Sequence, residues 1–88
     1  MTFHIELTRP ARRALSERLP ESVAAACFAF IEGPLADNPY RVGKPLRDEW
    51  SGYWTARRGQ FRILYSINDR LVVVTVIDIR HRRDAYRS

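Results

Sequence analysis

Two arginines are the first residues of this 88-residue chain whose placement suggests chemistry. In "TARRGQFRIL", residues 55–64, apolar and polar side chains alternate on either side of Gly59-Gln60. A two-residue turn with Gly first suits a type II′ hairpin. Such a turn pairs Arg58 with Phe61, Arg57 with Arg62, Ala56 with Ile63 and Thr55 with Leu64. Side chains alternate between the faces of a sheet. One face then carries Trp54, Ala56, Ile63, Tyr65 and Ile67, with Phe61 at its end. The other carries Tyr53, Thr55, Arg57, Arg62, Leu64 and Ser66. Guanidiniums held directly opposite each other repel, and an anion seated between Arg57 and Arg62 would relieve that. Phosphate is the anion that Arg, unlike Lys, meets bidentately. The plainer alternative is that both arginines splay into water, where salt screens them.

A second group of such residues closes the chain: Arg80, His81, Arg82, Arg83 and Arg87. An unperturbed histidine titrates at about 6.5, suitable for a base. A base needs the neutral imidazole, and His81 stands among four arginines, which as like charges disfavour a further cation. A solvated tail histidine reads equally well. Metal chemistry is not expected, because Cys27, His4 and His81 match no zinc spacing. A lone cysteine also forms no internal disulfide, which fits a reducing cytoplasm.

These side chains need a scaffold. The length suits one domain, residues 1–88, burying roughly 60% or a little more of its unfolded surface. Hydrophobic residues make up 45% of the chain, enough for it to fold. No apolar run reaches a membrane span, and the N-terminus has no signal-peptide pattern; both point to a cytoplasmic protein. The net charge of +5, carried by 14 Arg and one Lys, suggests a polyanionic partner: nucleic acid, a ribosome or an acidic protein.

"FHIEL", residues 3–7, predicts a short strand. Thr8 then offers an N-cap, Pro10 fits the first helical turn, and Ala11, Ala14, Leu15 and Leu19 make one stripe. Pro20 breaks this helix and opens a second, which Gly33 and Pro34 end. Its buried face is expected to be Val23, Ala24, Cys27, Phe28, Phe30 and Ile31. A loop rich in Pro and Gly follows over 33–51. Strands are predicted at 52–58, 61–67 and 71–79, with Asn68-Asp69, extended by Arg70, as the second turn. "LVVVTVIDI" is apolar on both faces, so it should lie centrally, in a register that its pattern leaves open. The expected fold is α+β in the order β-α-α-β-β-β. It is a four-stranded antiparallel sheet with both helices on one face and the arginines on the other.

This order and three sequence blocks resemble the RelE/ParE superfamily of bacterial toxins. "GKPLRDEWSGYWTARRGQFRILYSIND" is similar to the superfamily's central block in its G-K-P-L, S-G-[FY]-W and R-[ILV]-[ILV]-Y elements. "HRRDAYR" is similar to the closing H-R-x-[DE]-x-Y-R, and "TRPARRALSERLPESV" to the first helix. The G-K-P-L and S-G-Y-W elements lean towards the RelE and YoeB messenger-RNA endonuclease branch. The resemblance implies a toxin that enters the ribosomal A site and cuts messenger RNA without metal or cofactor. The ribose 2′-hydroxyl attacks its own 3′-phosphate and the 5′-oxygen leaves. It also implies a small acidic antitoxin as partner, in a complex expected to be oligomeric.

Carried over by position, Arg62 corresponds to the strand arginine on the scissile phosphate, Arg82 to the basic phosphate ligand after the last strand, and Tyr86 to the C-terminal tyrosine. His81 stands where some branches place a catalytic histidine. Lys44, Arg47, Tyr53, Arg57, Arg58, Arg80 and Arg83 are the expected RNA-contacting residues around them. The chain departs from the pattern where the best-known branch has two lysines, for Tyr53 and Thr55 stand there. The glutamate of the YoeB branch is also missing, because Lys44-Pro45 runs straight to Leu46. Either His81 supplies the base, or catalysis rests on phosphate charge and alignment by the ribosome. Two other readings stay open: a gyrase inhibitor of the ParE type, and a non-toxic module that binds an antitoxin and regulates their operon.

Overall fold

The computed structural model describes residues 2–85. β1 (His4–Leu7) leads into α1 (Arg9–Arg13), which widens into a π-helical turn over Ala14–Arg18. α2 (Glu21–Phe30) also continues as a π turn, over Ile31–Leu35. Four further strands follow: β2 (Lys44–Pro45), β3 (Trp54–Arg58), β4 (Phe61–Asn68) and β5 (Val73–His81). A short 3₁₀ turn, Arg82–Asp84, closes the described chain.

The α+β class and the helices on one sheet face agree with expectation. The sheet differs in having five strands, in the order β1-β5-β4-β3-β2. It is mixed, because β1 pairs with β5 in parallel, His4 opposite Val73 through Leu7 opposite Val76. Side-chain alternation carries no information about strand direction, so β1 could be recognised from its pattern but not oriented. The extra strand is cut from the expected 33–51 loop, where Lys44 and Pro45 pair with Thr55 and Trp54. Pro45 lacks an N–H and is tolerated because β2 is an edge strand.

Thr8 ties the first helix to the sheet. Its Oγ1 accepts from the Ala11 N–H at 3.3 Å and donates to Ile77 O. Ala11 and Ala14 are fully buried, and their small size lets the helix lie close to β5. In α2, Cys27, Phe30 and Ile31 form the buried stripe. Phe28 was expected there but is 45% exposed. It lies 100° around the helix from Cys27, on the side away from Phe30. Gly33-Pro34 does not end the helix, which remains helical to Asp37. A π turn leaves room for the proline ring and needs no N–H from it. Leu35 and Ala36, both buried, gain by the continuation.

The predicted hairpin register is present at every position from Trp54↔Tyr65 to Arg58↔Phe61. Gly59 has φ +57°, as a first-position turn glycine requires. β5 starts at Val73, later than expected, because residues 69–72 make the turn, with the Leu71 N–H held by Asn68 Oδ1 at 3.0 Å. That turn forces Val72 to φ +57°. The left-handed region costs a β-branched residue about 1–2 kcal/mol. Val72→Gly is therefore expected to stabilise the protein by about 1 kcal/mol, net of the glycine's unfolded-state entropy. A denaturant titration checks this; a lower midpoint would contradict it.

The open register of β5 is settled by a bulge. Tyr65 pairs with Val76 but Leu64 pairs with Asp78, leaving Ile77 as the extra residue. Strict alternation from Val74 and Val76 would drive Asp78 and Arg80 into the core. The bulge instead buries Ile79 and turns Asp78 and Arg80 to the helix-free face.

Candidate functional site

The helix-free face carries a row of guanidinium groups. Arg57 is opposite Arg62, and Arg62 is opposite Arg80, so three neighbouring strands each present one arginine at the same level. Beside Arg57 and Arg62 lies a cleft of about 450 Å³, walled by Arg41 and Lys44 and floored by Gly43 and Thr55. Four cations and no acid line it among the described residues. Among the described residues, no carboxylate pairs with Arg41, Lys44, Arg57 or Arg62. Among the described residues, Arg62 donates only to backbone oxygens, Phe61 O at 3.2 Å and Gly59 O at 3.4 Å. Partial burial, then the Arg57 and Arg82 charges, lower its pKa. It remains a guanidinium, but one whose charge is disfavoured until an anion arrives. The Thr55 hydroxyl is buried with no hydrogen-bond partner among the described residues.

The cleft wall is held by aromatic packing. Phe3, Tyr40, Trp54 and Tyr65 form a chain of ring contacts at 6.3, 5.6 and 6.4 Å. The buried Tyr65 hydroxyl donates to Pro39 O at 2.6 Å. Burial raises the pKa of this phenol, so it stays protonated and a donor. Gly43 passes so close that a Cβ there would sit 2.2 Å from the Tyr65 hydroxyl and 2.7 Å from Thr55 O. Only glycine lets the 41–44 segment lie against β3 and form the cleft.

Asp78 also lies on this face and is only 8% exposed. Its Oδ1 accepts from Arg18 Nη2 at 2.7 Å and from the Ile79 N–H at 2.8 Å, and its Oδ2 from Arg80 Nε at 3.0 Å. Burial alone would raise this carboxyl; the Ile79 N–H and the Arg80 and Arg18 guanidiniums outweigh it and hold the pKa below the usual carboxylate value. A depressed pKa contributes stability that is present above the unfolded value and lost as pH falls through the folded one. Between about pH 5 and pH 2 the wild type should lose more stability than Asp78→Asn, so urea-melt curves of the two should converge on acidification. Parallel curves would contradict this.

The other residues singled out in the sequence are dispersed. Arg82 opens the last 3₁₀ turn, its N–H bound to Gln60 O at 2.6 Å, and its charge acts on Arg62. His81 stands on the opposite face of β5 from Arg62 and Arg80, edge-on to the Phe61 ring at 5.3 Å, with Nδ1 accepting the Arg83 N–H. Arg58 also lies on the helix side, its guanidinium 3.6 Å from the Phe30 ring centroid. Tyr53 packs edge-on against Trp50 and does not line the cleft. Arg47 and Arg83 are exposed and outside it. Tyr86 lies outside the described residues. The cleft also contains Arg41, which sequence reasoning missed because a loop has no periodicity to place it. Asp78 was missed too, although an acid alone inside an apolar run was the available signal.

Comparison with known proteins agrees with this architecture. The family model described as the ParE toxin of the type II toxin–antitoxin system, parDE, matches residues 5–86. The chain is 47% identical over 85 residues to the toxin RelE of Mycobacterium tuberculosis, covering 97% of this chain and 87% of that protein. It is 44% identical to the toxin RelG of the same organism, over 99% of each. The fold matches the toxin–antitoxin complex RelBE2 from M. tuberculosis with a TM-score of 0.88 and 42% identity, over 96% of this chain and 95% of the other. This chain is a type II toxin–antitoxin toxin belonging to the RelE/ParE superfamily.

Proposed function

We propose that this toxin is a ribosome-dependent messenger-RNA endoribonuclease that needs no metal. One observation carries the reading: the acid-free cleft of Arg41, Lys44, Arg57 and Arg62 lies on the helix-free face, around the arginine that corresponds to the scissile-phosphate ligand. A phosphate between Arg57 and Arg62 relieves their repulsion and gains charge-assisted hydrogen bonds. As the 2′-hydroxyl attacks, negative charge grows on the phosphoryl oxygens, and fixed guanidiniums stabilise it. Arg62 and Arg82 act on the charge of that phosphate, Arg57 seats it from the other side, and Arg41 and Lys44 hold the strand around it. Tyr53 and Thr55 replace the two lysines and His81 stands on the far face, so charge and alignment by the ribosome carry most of the rate. Tyr86 supplies stacking or a proton at the C-terminal end. A small acidic antitoxin neutralises the toxin, consistent with the antitoxin complexes of its relatives.

Expression in a bacterial host tests this. Wild-type protein should stop growth and leave codon-phased cuts in messenger RNA by primer extension; intact messengers during arrest would contradict it. The missing lysines and the ParE description of the matching family favour one second reading, a gyrase inhibitor. That reading requires loss of supercoiling activity in a purified gyrase assay.

A further inference from the structure

The row Arg57–Arg62–Arg80 is continuous in register but not in charge. Arg57 and Arg62 have no acidic partner among the described residues, whereas Arg80 is bound to Asp78 through Nε at 3.0 Å. Asp78 is itself fixed, because the Ile79 N–H and Arg18 hold its other oxygen. We propose that Asp78 is a positioning residue that withholds Arg80 from RNA, so that the phosphate is met by Arg57 and Arg62 and not by the whole row. The inference rests on the phosphate-cleft reading above and narrows it.

The physical reason is register. Strands lie about 4.8 Å apart, so three equivalent guanidiniums side by side would offer a phosphodiester backbone two neighbouring seats, one on either side of Arg62. Only the seat between Arg57 and Arg62 opens onto the cleft with Lys44 and Arg41. The Asp78 carboxylate on Arg80 Nε offsets the charge on one side of the other seat. The Ile77 bulge makes this possible, because it turns Asp78 and Arg80 together from the core side onto the face of Arg62.

The test is the salt dependence of binding to a short 5′-labelled oligouridylate, followed by fluorescence anisotropy across about 25–200 mM KCl. Each arginine that neutralises a phosphate adds about 0.7 to the slope of log K against log salt for single strands. Arg57→Ala and Arg62→Ala should each flatten the slope by about 0.7, while Arg80→Ala leaves it unchanged. Asp78→Asn, which keeps the shape and the acceptor for the Ile79 N–H, should steepen it by about 0.7. The double variant Asp78→Asn/Arg80→Ala should return to the wild-type slope; a diffuse effect of net charge gives the same return but also flattens the slope of Arg80→Ala alone, so that single variant separates the two. If Arg80→Ala flattens the slope as Arg62→Ala does, or if the double variant stays steep, the proposal is overturned. Arg80→Ala keeps the question decidable should Asp78→Asn fail to fold. If Arg62→Ala binds like wild type, the phosphate-cleft reading fails and this inference falls with it; if Arg62→Ala flattens the slope and Arg80→Ala does so too, only this inference fails. No binding by the wild type at low salt would sink both.

Discussion

Arg62→Ala is expected to lower messenger-RNA cleavage by about 10²-fold or more, the loss seen when one preorganised donor to a developing oxyanion is removed. The same variant should no longer arrest growth. Arg62 sits at the centre of the row with Arg57 on one side, Arg80 on the other and Arg82 beyond the strand end. Its bonds to Phe61 O and Gly59 O orient the guanidinium without neutralising it. The fold gives up little with it, because no buried acid depends on Arg62 among the described residues. Circular dichroism and melting should therefore be close to wild type while activity falls. Arg62→Lys keeps the charge but loses the planar fork, and should fall between the two. Removing the opposite partner separates binding from repulsion. Arg57→Ala should weaken RNA binding and slightly raise the melting temperature, since like charges directly opposite cost stability.

Gly43→Ala is expected to be the most damaging small substitution to the fold. Its Cβ would sit 2.2 Å from the Tyr65 hydroxyl and 2.7 Å from Thr55 O. Either the 41–44 segment lifts from β3 or Tyr65 leaves its bond to Pro39 O. Overpacking of this kind costs about 1–3 kcal/mol, and a buried acceptor left unpaired adds about 1–3 kcal/mol more. At about 4–8 °C per kcal/mol for a domain of this size, the melting temperature should fall by 8 °C or more. RNA affinity should fall as well, since Lys44 and Arg41 move with the segment. Tyr65→Phe in the same chain should recover part of the loss, because it removes the hydroxyl clash and leaves the one with Thr55 O. Gly33→Ala is the matched control: nothing lies within 4 Å of its Cβ, and alanine favours helix, so stability should hold or rise. Equal losses at both glycines would refute the close-approach argument.

Much of this molecule was legible because local rules and the final contacts agree. Gly59-Gln60 dictates the hairpin, so every predicted pair around Arg57 and Arg62 is present, and the arginines face away from the helices as the alternation requires. The buried stripe of α1 follows from its helical spacing. What escaped was set by geometry beyond the local pattern. In β5, "VVVTVIDIR" allows two registers, and only the bulge at Ile77, tied to Thr8, places Asp78 and Arg80 on the open face. The parallel pairing of β1 depends on a partner about 70 residues away. Arg41 reaches the cleft because the loop that carries it folds back over Tyr65, which spacing along the chain cannot express. His81 shows the converse: adjacency to Arg80 and Arg82 in sequence suggested a shared site, yet one step along a strand moves a side chain to the other face.

The most direct test of the proposed chemistry uses purified toxin and ribosomes holding a defined messenger, with the nucleotide at the cut site either ribose or 2′-deoxyribose. The expected result is cleavage in the A-site codon that leaves a 2′,3′-cyclic phosphate, needs no added metal beyond what the ribosome requires, and stops when the single 2′-hydroxyl is removed. An intact ribose messenger, or a cut that proceeds equally well on the 2′-deoxy messenger, would contradict it.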